Sequence, residues 1–209
     1  GWTLPNIMGA GAAQTMVNTH RVLPGKNILI IGSGNVGLIV AYQLLQAGAK
    51  VPAVVELLPD IRGYQVHASK IIRMGIPVLT NHTITEAFGS SKVEQALIAE
   101  VDGNQKAMSR KEFTVNVDMI CIAIGLRPLY ELCWMAGMHF DYYPELGGFI
   151  PLHDNNLEST IEGIYVAGDL SGIEEASSAM EEGKLAALAV AISLGKIDKI
   201  KGKEFIDKT

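Results

Sequence analysis

The chain has 209 residues, 48% of them apolar, and a formal net charge of −5, enough length and apolar content for one large or two small domains with a sizeable core. An acidic balance with no basic stripe argues against nucleic acid as a partner, and the longest nearly uninterrupted apolar stretch, residues 185–194, is too short to span a bilayer. Only two cysteines occur, Cys121 and Cys133, both in apolar surroundings and not spaced C-x-x-C, so buried thiols in a reducing, cytoplasmic compartment are expected. In chain order, residues 1–19 are rich in small side chains around Met8-Gly-Ala-Gly-Ala-Ala-Gln14. They read as a strand end running into a short helix through Asn18. Residues 20–26 hold Pro24 and Gly25 and read as a linker. The Ile-rich run 27–31 predicts a buried parallel strand. It enters Gly32-Ser-Gly-Asn-Val-Gly37, then a nearly all-apolar helix over 38–47 that Gly48 stops. A strand over 50–55 ends in Glu56. Pro59 and Asp60 look like a helix start, and Ile61, Tyr64, Ala68, Ile71 and Ile72 recur at helical spacing up to Gly75. Residues 76–80 are a third short strand, so 27–80 is β-α-β-α-β with right-handed crossovers. Residues 92–101, 111–117 and 119–124 are strand-like, with a turn at Asp102-Gly103-Asn104. A β-meander inserted before the last parallel strand accounts for them. A short helix over 129–138, a turn at Gly147-Gly148 between two strands, and a strand over 163–167 leading to Gly168-Asp169 follow. A long Ala-rich helix over 174–194 and a solvated tail or linker over 196–209 complete the chain.

The glycine run carries the chemistry. Gly32, Gly34 and Gly37 stand in G-x-G-x-x-G between a strand and a helix. The first glycine makes the tight turn, the second lets backbone approach a pyrophosphate, and the third lets helix pack close to strand. Ser33, Asn35 and Val36 complete the loop, and the first helical N–H groups face an anion. Glu56 ends the next strand, at about the spacing of the acid that holds a ribose 2′-hydroxyl. These seven residues are the candidate NAD site, with NAD(H) preferred over NADP(H) because a 2′-phosphate would face the Glu56 carboxylate. The five histidines show no paired ligand spacing, so no metal site is expected. No hydrolase elbow is present. Glu174-Glu175 suit a helix N-terminus, and Glu181-Glu182 read as a solvated face. No side chain can be assigned as catalytic acid or base.

Three motifs stand in one order: Gly32-x-Gly34-x-x-Gly37, Ala123-x-Gly125-x-x-Pro128, and Thr160-x-x-x-Ile164-Tyr-Val-Ala-Gly-Asp169. Together the chain resembles the two-dinucleotide flavoproteins of the pyridine nucleotide–disulfide oxidoreductase superfamily. Gly9-Ala-Gly-Ala-Ala-Gln14 and Ala41-Tyr-Gln-Leu-Leu-Gln-Ala-Gly48 are most similar to the branch of opine, proline and sarcosine-type oxidase subunits and hydrogen cyanide synthase. The resemblance implies an α/β fold: a Rossmann-like NAD(P)-binding domain, parallel sheet plus β-meander, inserted in a partial FAD-binding domain. Residues 25–128 would be the NAD domain, and 1–22 with 130–195 later portions of the FAD domain. By the same resemblance Ile124 and Gly125 would lie at the cofactor, and Gly168 and Asp169 would hold the FAD ribitol; a helix-approach carboxylate is the alternative for Asp169.

The implied function is hydride transfer between nicotinamide and FAD. The alternatives are an NAD-binding regulatory or sensing module, or a scaffold subunit without nucleotide. Two family features are absent: the first FAD glycine motif, which would lie before Gly1, and a cysteine pair near residues 15–22. The opening Gly1-Trp2-Thr3-Leu4-Pro5 reads as mid-protein sequence. A fragment is therefore expected. Its companions would be a missing FAD-binding segment and either further copies in a homo-oligomer or a partner subunit.

Overall fold

Alternating apolar side chains in short strands, buried on both faces, shape the first unit, Gly1–Gly125. The computed structural model describes residues 1–198. Strand β1 (Ile7–Gly9) runs into helix α1 (Ala10–Asn18), and β2 (Ile28–Ile31) into α2 (Asn35–Gln46). Then come β3 (Val54–Val55), α3 (Gln65–Arg73) and β4 (Val78–Leu79). Three antiparallel strands follow, β5 (His82–Phe88), β6 (Gln95–Val101) and β7 (Ala107–Asn116), before β8 (Met119–Ile122). The parallel sheet has the order β1-β8-β2-β3-β4. Ile28 and Ile30 turn to the helices, against Leu38, Ala41 and Leu44 of α2 and Ala68 and Ile71 of α3. Leu29, Val55 and Ile120 point the other way and meet Ala96 and Ile98 of the meander. A parallel sheet covered on both faces needs such unbroken apolar strands, and full burial of a Leu or Ile stabilises by about 1.5–3 kcal/mol.

The second unit begins at Leu126. It holds α4 (Glu131–Met135), an antiparallel hairpin of β9 (Phe140–Tyr143) and β10 (Gly148–Pro151), a short 3-10 turn at Gly168–Leu170, and α5 (Ala176–Ser193). Its small core joins Cys133, Met138 and Val166 with Phe140, Ile161 and Leu170.

Several expectations change. Residues 1–22 do not group with the later segment: Ile7, Met8 and Gly9 pair with Ile120, Cys121 and Ile122, and Ala10 and Ala13 join the helix-side core. They therefore belong with the glycine-loop unit. The third helix begins at Gln65 rather than near Pro59. Residues 57–64 are instead a loop, and a Cβ at Gly63 would lie 2.7 Å from the Leu38 Cδ1. The strand expected over 50–55 reduces to Val54–Val55, with Lys50 bridging only to Asn27. Strand β5 escapes the sequence pattern, because its pairing slips between Ile84 and Glu86 and so breaks the alternation. Residues 163–167 form no named strand: Gly163 turns at φ +79, and Tyr165 makes an isolated bridge to Glu158. The tail expected over 196–209 lies outside the described residues from 199 onward.

Candidate functional site

Strand order places the glycine loop. From β2 the chain winds outward through β3 and β4, while β8 and β1 flank its other side. The carboxyl ends of β2 and β8 therefore bound the point where strand order reverses, the place where open α/β sheets bind ligands. Gly32, Ser33, Gly34, Asn35, Val36 and Gly37 follow β2, Glu56 follows β3, and Ile124 and Gly125 follow β8. The fold brings these nine residues to one edge of the sheet.

Each glycine of the loop meets a distinct constraint. Gly32 has φ +104, and a Cβ there would sit 2.2 Å from the Ala123 carbonyl oxygen. A Cβ on Gly37 would sit 2.2 Å from the Gly32 carbonyl oxygen, so any side chain would push α2 off the strand. Gly34 faces open space, with nothing within 4 Å of an added Cβ. It is also the N-cap of α2 and provides no side-chain cap, so N–H groups of the first turn remain available.

Glu56 is buried, only 7% exposed. Its Oε2 accepts from the Ser33 amide at 2.9 Å and the Ser33 hydroxyl at 2.7 Å, and its Oε1 accepts from the Leu58 amide at 2.9 Å. A carboxylate offers about four acceptor positions, so little capacity remains for a ribose hydroxyl. Ser33 is a junction rather than a passive loop residue. Its hydroxyl also accepts from the Arg62 amide at 3.1 Å, and its carbonyl accepts from the Gly63 amide at 2.8 Å. Asn35 Oδ1 accepts from the Tyr64 amide at 2.7 Å, so that oxygen ties α2 to the start of α3. Sequence reasoning misses the loop over 61–64 as part of the site. Its signal is Gly63, a glycine inside a run that otherwise reads as helix.

Ile124 is 76% exposed, and Gly125 has φ +127 with open space about it. In the second unit, Gly168 turns at φ +70. Asp169 is exposed, and among the described residues its side chain makes no hydrogen bond. Helix α5 starts at an N-cap, Glu175, without a side-chain cap bond. Glu182, expected on a solvated face, instead turns back and accepts from the Gly168 amide and the Ser171 hydroxyl, each at 2.7 Å; Glu181 pairs with Lys184 at 2.7 Å. Burial pushes the Cys121 thiol up to about 11 and raises that of Cys133 as well. Such thiols are poor nucleophiles. Among the described residues no cluster of His, Cys, Asp or Glu suits a metal ion, and no helix is long and apolar enough to cross a membrane.

A covered parallel sheet with a glycine turn at its switch point and a carboxylate on the neighbouring strand defines a Rossmann-like dinucleotide-binding fold. Residues 6–183 match the sequence profile of the pyridine nucleotide-disulphide oxidoreductase family, and the chain belongs to that family. It is 28% identical to the A component of opine oxidase from Rhizobium meliloti over 96% of this chain and 47% of that protein. It is 25% identical to hydrogen cyanide synthase subunit HcnB of Pseudomonas aeruginosa over 92% and 45% respectively. The chain thus spans about half the length of these curated relatives. Among solved structures, thioredoxin reductase of T. acidophilum superposes with a TM-score of 0.72 at 21% identity, covering 90% of this chain and 57% of that one. A NAD-dependent persulfide reductase from A. fulgidus gives 0.69 at 18% identity, covering 90% and 36%. At such identities these two likenesses speak for the fold.

Proposed function

We propose that the chain is the NAD(H)-binding unit, with part of an FAD-binding unit, of a flavin-dependent oxidoreductase that passes hydride between nicotinamide and flavin. The observation that carries this reading is the switch-point edge, where Gly34 stands open beside an uncapped helix start and Glu56 is fixed beside it. Gly32, Gly34 and Gly37 would admit the pyrophosphate to backbone N–H groups, and the remaining acceptor position of Glu56 would take a ribose hydroxyl. Asp169 and the start of α5 would hold the ribitol end of a flavin. The bound cofactors would supply the hydride chemistry; the protein holds, orients and shields them. The relatives named as oxidase or synthase subunits support a partner chain for the whole protein.

NAD(H) should bind more tightly than NADP(H). A 2′-phosphate about 4 Å from the Glu56 carboxylate is repelled by something of order 4 kcal/mol at a surface-like dielectric. Titrating both nucleotides into the chain checks this, and equal or tighter NADP(H) binding would defeat it. Calorimetry with NADH and FAD separately tests the wider reading: these 209 residues should bind NADH but not FAD with useful affinity. Stoichiometric FAD binding would mean the FAD site has been assigned too few residues. Full-length protein that binds NADH yet carries no flavin would favour the sensing module.

A further inference from the structure

Position 182 lies two turns into α5, and side chains on a helix lean toward its N-terminus. The Glu182 carboxylate thereby reaches the turn at Gly168–Leu170. There its Oε2 accepts the Gly168 amide and the Ser171 hydroxyl. The Ser171 hydroxyl has one proton and two acceptors in range, Glu182 Oε2 at 2.7 Å and the Gly168 carbonyl at 2.8 Å. That carbonyl already accepts from the Ser171 amide at 2.8 Å. The charged oxygen is the stronger acceptor, so the proton goes to Glu182. Both ends of the turn are then tied to a single oxygen.

The turn needs such a tie. Gly168 holds a left-handed φ of +70, although its nearest neighbour to an added Cβ, on Ala179, is 3.8 Å away. Space does not force that conformation; the bonds to Glu182 favour it. Asp169 is the next residue, exposed and making no hydrogen bond of its own among the described residues. The direction in which its Cα–Cβ bond leaves the backbone is set by the turn. Glu182 also lines a cleft of about 340 Å³ with Tyr143, His153, Ser171 and Glu174, so the tie borders open space and is reachable by a ligand.

We propose that Glu182 is a positioning residue: by gripping Gly168 and Ser171 it fixes the turn that aims Asp169 at the flavin ribitol. This rests on the FAD reading of the second unit given above. It assigns no chemistry to Glu182 itself, only the geometry of Asp169.

The test is a double-mutant cycle on full-length protein, reading the FAD dissociation constant by flavin fluorescence. Asp169→Ala should weaken FAD by about tenfold or more, since a charge-assisted hydrogen bond is lost. Glu182→Ala should weaken it comparably in the Asp169 background and by less than about twofold when Asp169→Ala is already present, because the two act on one contact. Glu182→Gln keeps an acceptor oxygen and should recover most of the affinity. Should Glu182→Ala not fold, Ser171→Ala takes its place in the cycle, with a smaller loss of about threefold that again vanishes beside Asp169→Ala. Wild-type protein without FAD, or Asp169→Ala without effect, overturns the FAD reading and this proposal with it. A normal Asp169→Ala loss alongside an unchanged Glu182→Ala, or losses that simply add, overturns the positioning role alone.

Discussion

The two units hold their turns by opposite means. At the end of β2, steric contact fixes the glycine loop: backbone oxygens stand 2.2 Å from where Cβ atoms of Gly32 or Gly37 would be. In the second unit, hydrogen bonds to one side chain, Glu182, fix the Gly168 turn in open space. The cores differ in parallel. The first unit clothes its sheet on both faces, whereas α5, eighteen residues long, buries only Ala189. A loop locked by packing is formed before any ligand arrives. A turn held by polar contacts depends on its surroundings, which suits a part whose proposed site is shared with further chain.

Substitution at each glycine sharpens the contrast. Gly37→Val should have the largest effect, about 3 kcal/mol or more of destabilisation by overpacking against Gly32, with NADH binding lost; urea unfolding and calorimetry would read it. If Gly37→Val keeps both, the loop is not sterically locked. Burial of Cys121 makes the stability of the first unit pH-dependent. Its thiol titrates near 9.0 when free and about 11 when folded, so the folded chain holds a proton that the unfolded chain releases. The resulting stability is intact below about pH 9 and falls by roughly 2–3 kcal/mol as pH rises to about 11. Comparing unfolding curves of wild type and Cys121→Ala across that window isolates it, and identical slopes would refute it.

Gly168→Ala should cost only about 1–2 kcal/mol, the strain of a left-handed residue with room around it; NADH affinity should not change. A cost as large as that of Gly37→Val would erase the distinction between the two turns. Last, Lys111→Ala removes an exposed ion pair with Glu100 on the meander, remote in chemistry from both turns. It should shift stability by less than about 1 kcal/mol in thermal unfolding, which sets the baseline.

What is legible in the sequence is local. The three glycines and the apolar run before them are neighbours along the chain, and their constraints follow from one turn, so G-x-G-x-x-G reports them directly. Glu56 stands at a strand end as its position predicts, but its bonds to Ser33 cross 23 residues and depend on how β2 and β3 pair. The same limit hides Glu182, whose reach to Gly168 spans 14 residues and reverses the reading of a solvated face. Residues 1–22 change units because strand pairing of Ile7 with Ile120 leaves no trace in local pattern.

The sheet order has a consequence for how the chain comes to be folded. β8 lies between β1 and β2, and the Asn27–Asp118 hydrogen bond that closes this junction spans 91 residues. Until β8 has emerged from the ribosome, β1 and β2 each present an unpaired apolar edge, the kind that recruits other chains. Such non-local closure slows folding. Chains ending before residue 119 should therefore aggregate rather than fold, and synthesis, not the isolated motif, sets when the glycine loop first acquires its floor at Ala123.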